Sequence, residues 1–480
     1  VFASFVYKLK PSPRQAATME RWLDMLRGQY NFRLKERIEA YEQVRSPILG
    51  NYCDIKSQAE CCPLTCSVSK STLYGSPWKT DKKTGAGKRR SAWEIQSADL
   101  VRLKQERPWY KEMSCVVLQQ MLRQLDTAFQ NFFEQGRGYP RFKPRNCFKS
   151  FTYSPGAVKF KGNAAYLPGI GWMKFFQSRS FPDGFAQRSV TVRKKADGWY
   201  ISVRLQDDTV PETPLPNQVK TAVGVDLGIK KLMSLSTGET VPNPEFYRQQ
   251  ERRRRIRQRR ASRKAKGSNK QVKAYQRLAK LEQKISNQRE DYQWKSAHKL
   301  VKNFDLIVFE DLNIQGMKRR CKPKQCEATG KYLRNNQAAK SALNRAISDA
   351  AWGNLKQKVK ILAEKSGVLF CEVNPRHSSQ ECSECGYVSP TNRDKEKFVC
   401  ESCGHHADAD VDAAIVILNR GLEELGIETS QLPGGTRKVT LKEPVGRQGT
   451  SLGLPGEPGN PHQFQPYQGV QLKLFEWMGA

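Results

Sequence analysis

The chain has 480 residues and carries 82 Lys+Arg against 47 Asp+Glu, a formal net charge of +35. It is long enough for two to four domains with sizeable cores, and a cationic surplus this large calls for an extended polyanionic partner. No apolar run approaches the roughly 18 residues of a spanning helix, residues 1–9 are too short and too alternating for a signal peptide, and the 13 cysteines point to metal ligation in a reducing compartment, not to a secreted disulfide framework.

Residues 2–9 alternate and predict a strand, which Pro11-Ser12-Pro13 breaks. Residues 14–45 are helical by period, with Met19, Trp22, Leu23, Leu26 and Tyr30 on one face. Residues 46–92 read as irregular, and the spacing of their Cys53, Cys61, Cys62 and Cys66 matches no ordinary metal site. Helical pattern resumes over 93–135, with Leu118, Met121, Leu122, Leu125, Ala128 and Phe129 as its buried stripe. Residues 148–205 read as strands, including a hairpin about Asp197-Gly198. Pro211, Pro214 and Pro216 mark a linker.

Beyond the linker, residues 221–226 predict an apolar strand ending in Asp226, and a second strand follows over 231–236. Residues 248–273 hold thirteen Lys/Arg and one acid, Glu251. With nothing in the run to balance Arg252, Arg253, Arg254, Arg255, Arg259 and Arg260, a phosphate-backbone contact is favoured over a solvated helix face. The segment is expected to rise as a basic arm into a helix carrying Leu278, Leu281 and Ile285. Residues 305–309 form a continuous apolar run, as in a strand buried on both faces, and it ends in Glu310.

Cys382, Cys385, Cys400 and Cys403 read C-x2-C, a fourteen-residue gap, then C-x2-C. That pattern suits one tetrahedral structural Zn2+, with buried thiols or disulfides as the plainer reading. Four thiolates would leave no open position for a catalytic water. Asp408, Asp410 and Asp412 then open a short apolar helix. Singly, Asp226 reads equally as a turn acid, Glu310 as surface, and Asp408 or Asp410 as N-caps. Together they suggest one acidic cluster that would suit Mg2+ or Mn2+. His298, His377, His405 and His406 carry no catalytic pattern. The tail from about 432 is Gly/Pro-rich and polar.

The ordered set Gly224–Lys230, Phe309-Glu-Asp-Leu312, Ser348–Gly353, Ser379–Gly386 and Phe398–Gly404 with Ala409–Ala414 resembles the TnpB family, transposon-encoded relatives of the type V CRISPR effectors. The likeness begins near Tyr7 and runs to about residue 425. It implies an α/β multidomain chain: a wedge β-barrel (1–10 and 140–215) interrupted by a helical recognition lobe (11–139), an RNase H-like RuvC nuclease (216–371 and 405–425), an inserted zinc ribbon (372–404) and a flexible tail (426–480). It implies an RNA-guided DNA endonuclease of a transposable element. Guide RNA and target double-stranded DNA would be its partners, and it would work on the nucleoid in the cytoplasm of a prokaryotic cell. In the family's motifs Asp226, Glu310 and Asp410 become the catalytic ligands of magnesium, Asp408 the helix cap, and Asp311 a neighbour facing away. Asp412 and Val416 stand where the family usually has Asn, which bears on how Asp410 is oriented. Two rivals are an RNA-guided repressor that does not cut and a DNA-transposing recombinase.

Overall fold

A computed structural model describes residues 2–45, 78–80, 87–145, 147–181, 184–206, 211, 215–216, 219–327, 329–431 and 437–441. Cys53, Cys61, Cys62, Cys66 and most of the C-terminal tail lie outside the described residues. The fold is mixed α/β and divides into two compact units, one built on Phe2–Asp207, the other on Asp208–Ser451.

The first unit opens with β1 (Phe2–Lys10), and helix α1 (Pro13–Arg45) follows at once. A short ladder, β2 (Trp78–Thr80) on β3 (Gly87–Arg89), lies within the stretch expected to be irregular. Helix α2 (Ala92–Glu106) starts in a reciprocal capping box between Ser91 and Glu94. The single helical stretch expected over 93–135 is in fact two helices. Pro108 cannot continue α2, a 3-10 turn spans Pro108–Glu112, and α3 (Cys115–Glu134) then carries the apolar stripe.

Six strands follow: β4 (Ser150–Tyr153), β5 (Lys159–Lys161), β6 (Ala164–Leu167), β7 (Gly171–Phe176), β8 (Ala186–Lys195) and β9 (Gly198–Gln206). They join β1 in a seven-stranded antiparallel sheet of order β4-β8-β9-β1-β7-β6-β5. Among the described residues no pairing joins β4 to β5. One face packs on the helices through Tyr7, Trp22, Leu26, Leu122 and Phe175. Arg33 and Arg37 sit fully buried in that helical layer. Asp99 pairs with Arg33, and Asp126 accepts from Arg37 at 2.9 Å. Removing one partner of such a buried pair costs about 3–5 kcal/mol.

The second unit is built on a five-stranded sheet of order β12-β11-β10-β13-β16. Its strands are β10 (Ala222–Asp226), β11 (Lys231–Leu235), β12 (Thr240–Pro242), β13 (Leu306–Glu310) and β16 (Leu369–Val373). Strands β10, β13 and β16 are parallel, while β11 pairs antiparallel with β10 and β12 antiparallel with β11. Alternate residues feed two cores, as the two-residue period of a strand requires. Val223, Val225, Ile307 and Phe309 pack against α5 (Asn269–Asn303) and α7 (Trp352–Ser366). Ala222, Leu306 and Val308 pack against α8 (Ala409–Glu424) on the other face. The unit also holds α4 (Phe246–Ser262), a two-stranded ladder of β14 (Lys324–Gln325) and β15 (Tyr332–Leu333), and α6 (Gln337–Ala350).

Two glycines let α8 lie close. A Cβ on Gly224 would stand 2.0 Å from the Ala414 carbonyl oxygen, and one on Gly421 would stand 2.5 Å from a Val308 methyl. Between β16 and α8 lies a small three-stranded module of β17 (Arg393–Asp394), β18 (Lys397–Val399) and β19 (His406–Asp408), which carries the four cysteines. Among the described residues no helix is long and apolar enough to cross a membrane.

Candidate functional site: an acidic sheet edge and a four-cysteine module

Parallel strands end at one edge, so the register that sets Val225 opposite Phe309 brings Asp226 beside Glu310. Strand alternation turns both carboxylates toward α8, the side where Ala222 and Val308 also pack. Asp408 caps α8, its Oδ1 accepting from Asp410 N at 3.0 Å and Val411 N at 3.3 Å. The cap fixes the helix start, and Asp410 in the first turn faces the two strand acids.

The electrostatics record the convergence. Burial, and then the charges of Glu310 and Asp410, push the Asp226 carboxyl up to about 7. Burial also raises Glu310, opposed by a hydrogen bond from Ser378 Oγ and by the charge of Arg420. Asp410 meets two cations: Arg393 Nη2 donates to Oδ1 at 2.7 Å, and Lys231 Nζ stands 3.7 Å from Oδ2. Asp311 is turned outward, 3.6 Å from Lys356. Trp352 Nε1 donates to Gly228 O at 3.0 Å and so holds the turn that leaves Asp226.

The donor set fits hard divalent cations. Three carboxylates repel one another at a buried edge, and a cation between them would relieve that repulsion. The oxygens are not drawn together in the way the thiols are. Among the described residues the one cluster of His, Cys or acid ligand atoms mutually within 4.8 Å is Cys382, Cys385, Cys400 and Cys403.

That cluster closes through two knuckles of the same design. Gly386 N donates to Cys382 O at 2.9 Å and Gly404 N to Cys400 O at 3.0 Å. Both glycines take the left-handed conformation, with φ of 73° and 72°, which a glycine accepts without strain. Backbone N–H groups from Cys403 and Ser402 draw the Cys400 thiol down to about 7, while burial pushes Cys382 up. The geometry is compatible with one structural zinc ion.

The basic run departs from expectation. It is not a free arm but helix α4, set antiparallel on α5, and its charge is balanced in part from within the chain. Glu282 pairs with Arg254, and Glu251 accepts from Arg255 at 3.2 Å and Arg345 at 3.5 Å. Arg252, Arg253, Arg259 and Arg260 make no ion pair among the described residues.

A cationic surface without a counterpart in the sequence-based expectations lies in the first unit. On the solvent face of its sheet, Lys8 stands opposite both Phe176 and Tyr200, and Lys10 opposite Lys174. Lys10 lies 3.7 Å from the Phe176 ring centroid and the Arg204 guanidinium 3.8 Å from that of Phe2. Tyr166 and Trp172 pair across neighbouring strands on the same face. The exposed aromatics break the usual apolar-in, polar-out alternation, which was the available signal. Ser378, Arg393 and Lys231 gave no comparable sign, because each acts on an acid distant in sequence.

A mixed α/β chain with converging carboxylates at a parallel-strand edge and an adjoining four-cysteine module is the class these features define. Three family models match it: "Probable transposase" over residues 200–321, "Cas12f1-like, TNB domain" over 352–417 and "Helix-turn-helix domain" over 3–46. The chain belongs to the TnpB family, relatives of the type V CRISPR effectors. It is 34% identical over 319 residues to the "Putative RNA-guided DNA endonuclease InsQ" of Escherichia coli K12, covering 66% of this chain and 77% of that one. It is 32% identical over 434 residues to the "Putative RNA-guided DNA endonuclease" of Streptomyces pristinaespiralis, covering 87% and 89%. Among solved structures, that of CasPhi-2 (Cas12j) bound to crRNA matches with 12% identity and a TM-score of 0.34, covering 88% of this chain and 98% of that one. The helix-turn-helix description does not suit the fold, since residues 3–45 form β1 and the single long helix α1.

Proposed function

We propose that the protein is an RNA-guided endonuclease of a transposable element, cutting double-stranded DNA beside a short DNA motif. The observation that carries this reading is the meeting of Asp226, Glu310 and Asp410, distant in sequence, at one sheet edge. The mixed sheet order supports an RNase H-like RuvC nuclease for residues 216–371 and 405–425, with residues 372–404 as its zinc ribbon. The antiparallel sheet supports a wedge over 1–10 and 140–215, with residues 11–139 as the recognition lobe. The names borne by the relatives point to the same activity.

Asp226, Glu310 and Asp410 would hold Mg2+ or Mn2+, which when bound activates water and stabilises charge at a scissile phosphate. Cys382, Cys385, Cys400 and Cys403 would hold Zn2+ as a structural ion. The chain's own work is to keep three carboxylates converging against their repulsion. Ser378 supports Glu310, and Arg393 and Lys231 support Asp410. Guide RNA and target DNA would be held by cationic surfaces. The aromatic and basic sheet face suits stacked bases and phosphates, and Arg252, Arg253, Arg254, Arg255, Arg259 and Arg260 on α4 suit backbone phosphates. Guide pairing then reads the target, as in related RNA-guided enzymes.

The test is cleavage and binding on the same samples, with and without copurified RNA. Asp226→Ala, Glu310→Ala and Asp410→Ala should each abolish cutting and keep guided binding, with Asp311→Ala and Asp408→Ala milder. Cutting without RNA, or cutting by Asp410→Ala, would overturn the reading.

A further inference from the structure

Asp412 follows Asp410 by two residues, and two residues of helix turn a side chain by about 200°. While Asp410 faces the strand acids, Asp412 faces the four-cysteine module. It is only 1% exposed, a burial that an ionised carboxylate tolerates only with compensating donors. Ser383 Oγ, in the first cysteine knuckle, donates to its Oδ1 at 2.6 Å. His405 Nε2, two residues past the last cysteine, stands 3.2 Å from the same oxygen. Neither that buried ring nitrogen nor Asp412 Oδ2 has a hydrogen-bond partner among the described residues, so Ser383 supplies the hydrogen bond and His405 packs beside it.

The grip continues along the helix. Asn419, two turns further on the same face, donates through Nδ2 to Ser383 O at 3.4 Å. Arg420 pairs with Glu381 just before the first cysteine and donates through Nη1 to Asn374 O at 2.6 Å. On the opposite side of the helix start, Arg393 of β17 holds Asp410 itself. The module therefore touches α8 on both faces. Any rotation of α8 that swung Asp410 away from Asp226 and Glu310 would also strip the buried Asp412 of its donor in the knuckle.

We infer that Asp412 is a positioning residue: through Ser383 and His405 it locks α8 to the four-cysteine module, so the folded module sets how Asp410 meets divalent ions. This rests on the reading of Asp226, Glu310 and Asp410 as ligands of a divalent cation. The charge of Asp412 belongs to this contact and not to the acid cluster.

The probe is Mn2+ alone, titrated into the full-length chain freed of nucleic acid and followed by the resonance of the unbound ion. Zinc content is measured on each sample. Asp412→Ala should weaken Mn2+ binding about 10- to 100-fold, the usual effect of losing a group that orients a ligand, with zinc retained. Asp412→Asn, which still accepts from Ser383, should stay within a few-fold of wild type. Ser383→Ala should weaken binding, and the double variant Asp412→Ala/Ser383→Ala should be no worse than Asp412→Ala. Unchanged Mn2+ affinity in Asp412→Ala beside a loss in Asp410→Ala would overturn this inference alone. Zinc lost together with Mn2+ would overturn it too, by making Asp412 a prop of the module. Unchanged affinity in Asp410→Ala would overturn the acid-site reading and this inference with it.

Discussion

Gly224→Ala strains the acid cluster without touching it. Gly224 lies on β10, two residues before Asp226. An added methyl would stand 2.0 Å from Ala414 O, 2.7 Å from Leu418 N and 2.9 Å from Leu418 Cβ. Comfortable contact begins near 3.4 Å, so strand and helix must part by about 1.4 Å. Two of the three obstacles are backbone atoms, and Ile417 and Leu418 anchor that face of α8 in the core, so no side-chain rotation relieves the clash. Overpacking of this kind costs about 1–3 kcal/mol, or roughly 2–12 °C in Tm for a unit of about 240 residues. The same shift moves the helix start that carries Asp410, and a misplacement of about 1 Å costs on the order of 100-fold in rate. Thermal unfolding beside the guided cleavage assay measures both effects. Gly28→Ala is the control. It sits exposed in α1 with nothing within 4 Å of its Cβ position, and it should gain up to about 1 kcal/mol from helix propensity. A Gly224→Ala protein with wild-type Tm and wild-type cutting would refute the close packing of β10 on α8.

Cys382→Ser should release the zinc and loosen the module, because metal binding at such a site is folding free energy; full zinc retention on elemental analysis would count against it. The Asp226 carboxyl, raised by burial and by Glu310 and Asp410 to about 7, gives a signed pH dependence. With a folded pKa above the unfolded one, its contribution to stability is complete below about pH 4 and is lost as pH rises through about 7. Without Mg2+ the melting temperature should fall across that window, and added Mg2+ should restore more stability at pH 8 than at pH 5; equal gains at both would contradict this. Charge reversal of Arg252 and Arg253, which make no ion pair among the described residues, should flatten the salt dependence of RNA binding by about one unit of slope for each phosphate no longer neutralised. An unchanged slope would make that face of α4 merely solvated.

The central strands were legible because they are buried on both faces. Residues 305–309 are apolar without a break, and the carboxylate that ends the run marks the sheet edge. The start of α8 was legible through Asp408, since a capping aspartate is a local signal. The cysteine spacing was local too. What stayed hidden was set by partners far away in sequence. The arginine run looked unopposed because Glu282, which pairs with Arg254, lies in the next helix. The burial of Arg33 and Arg37 depends on Asp99 and Asp126, which meet them in the helical layer from 66 and 89 residues away. The insertion of β1 between β9 and β7 could not be read from alternation, which predicts a strand but not its neighbours. Asp412 could be seen as a departure from the family, but its turn toward Ser383 depends on a knuckle 29 residues earlier.

The order in which the acid cluster is assembled has a consequence during synthesis. Asp226 precedes Glu310 by 84 residues and Asp410 by 184, by subtraction of their positions. At roughly 5–20 residues per second, about 10–40 s pass between the translation of the first carboxylate and the third. The described strands and helices of the first unit, with their cationic sheet face, end at Gln206, before Asp226 has been made. A chain still on the ribosome can therefore fold a nucleic-acid-sized basic surface while its acidic edge is missing α8. Premature termination anywhere from about residue 310 to 409 leaves a polypeptide with the cations, two carboxylates and no third.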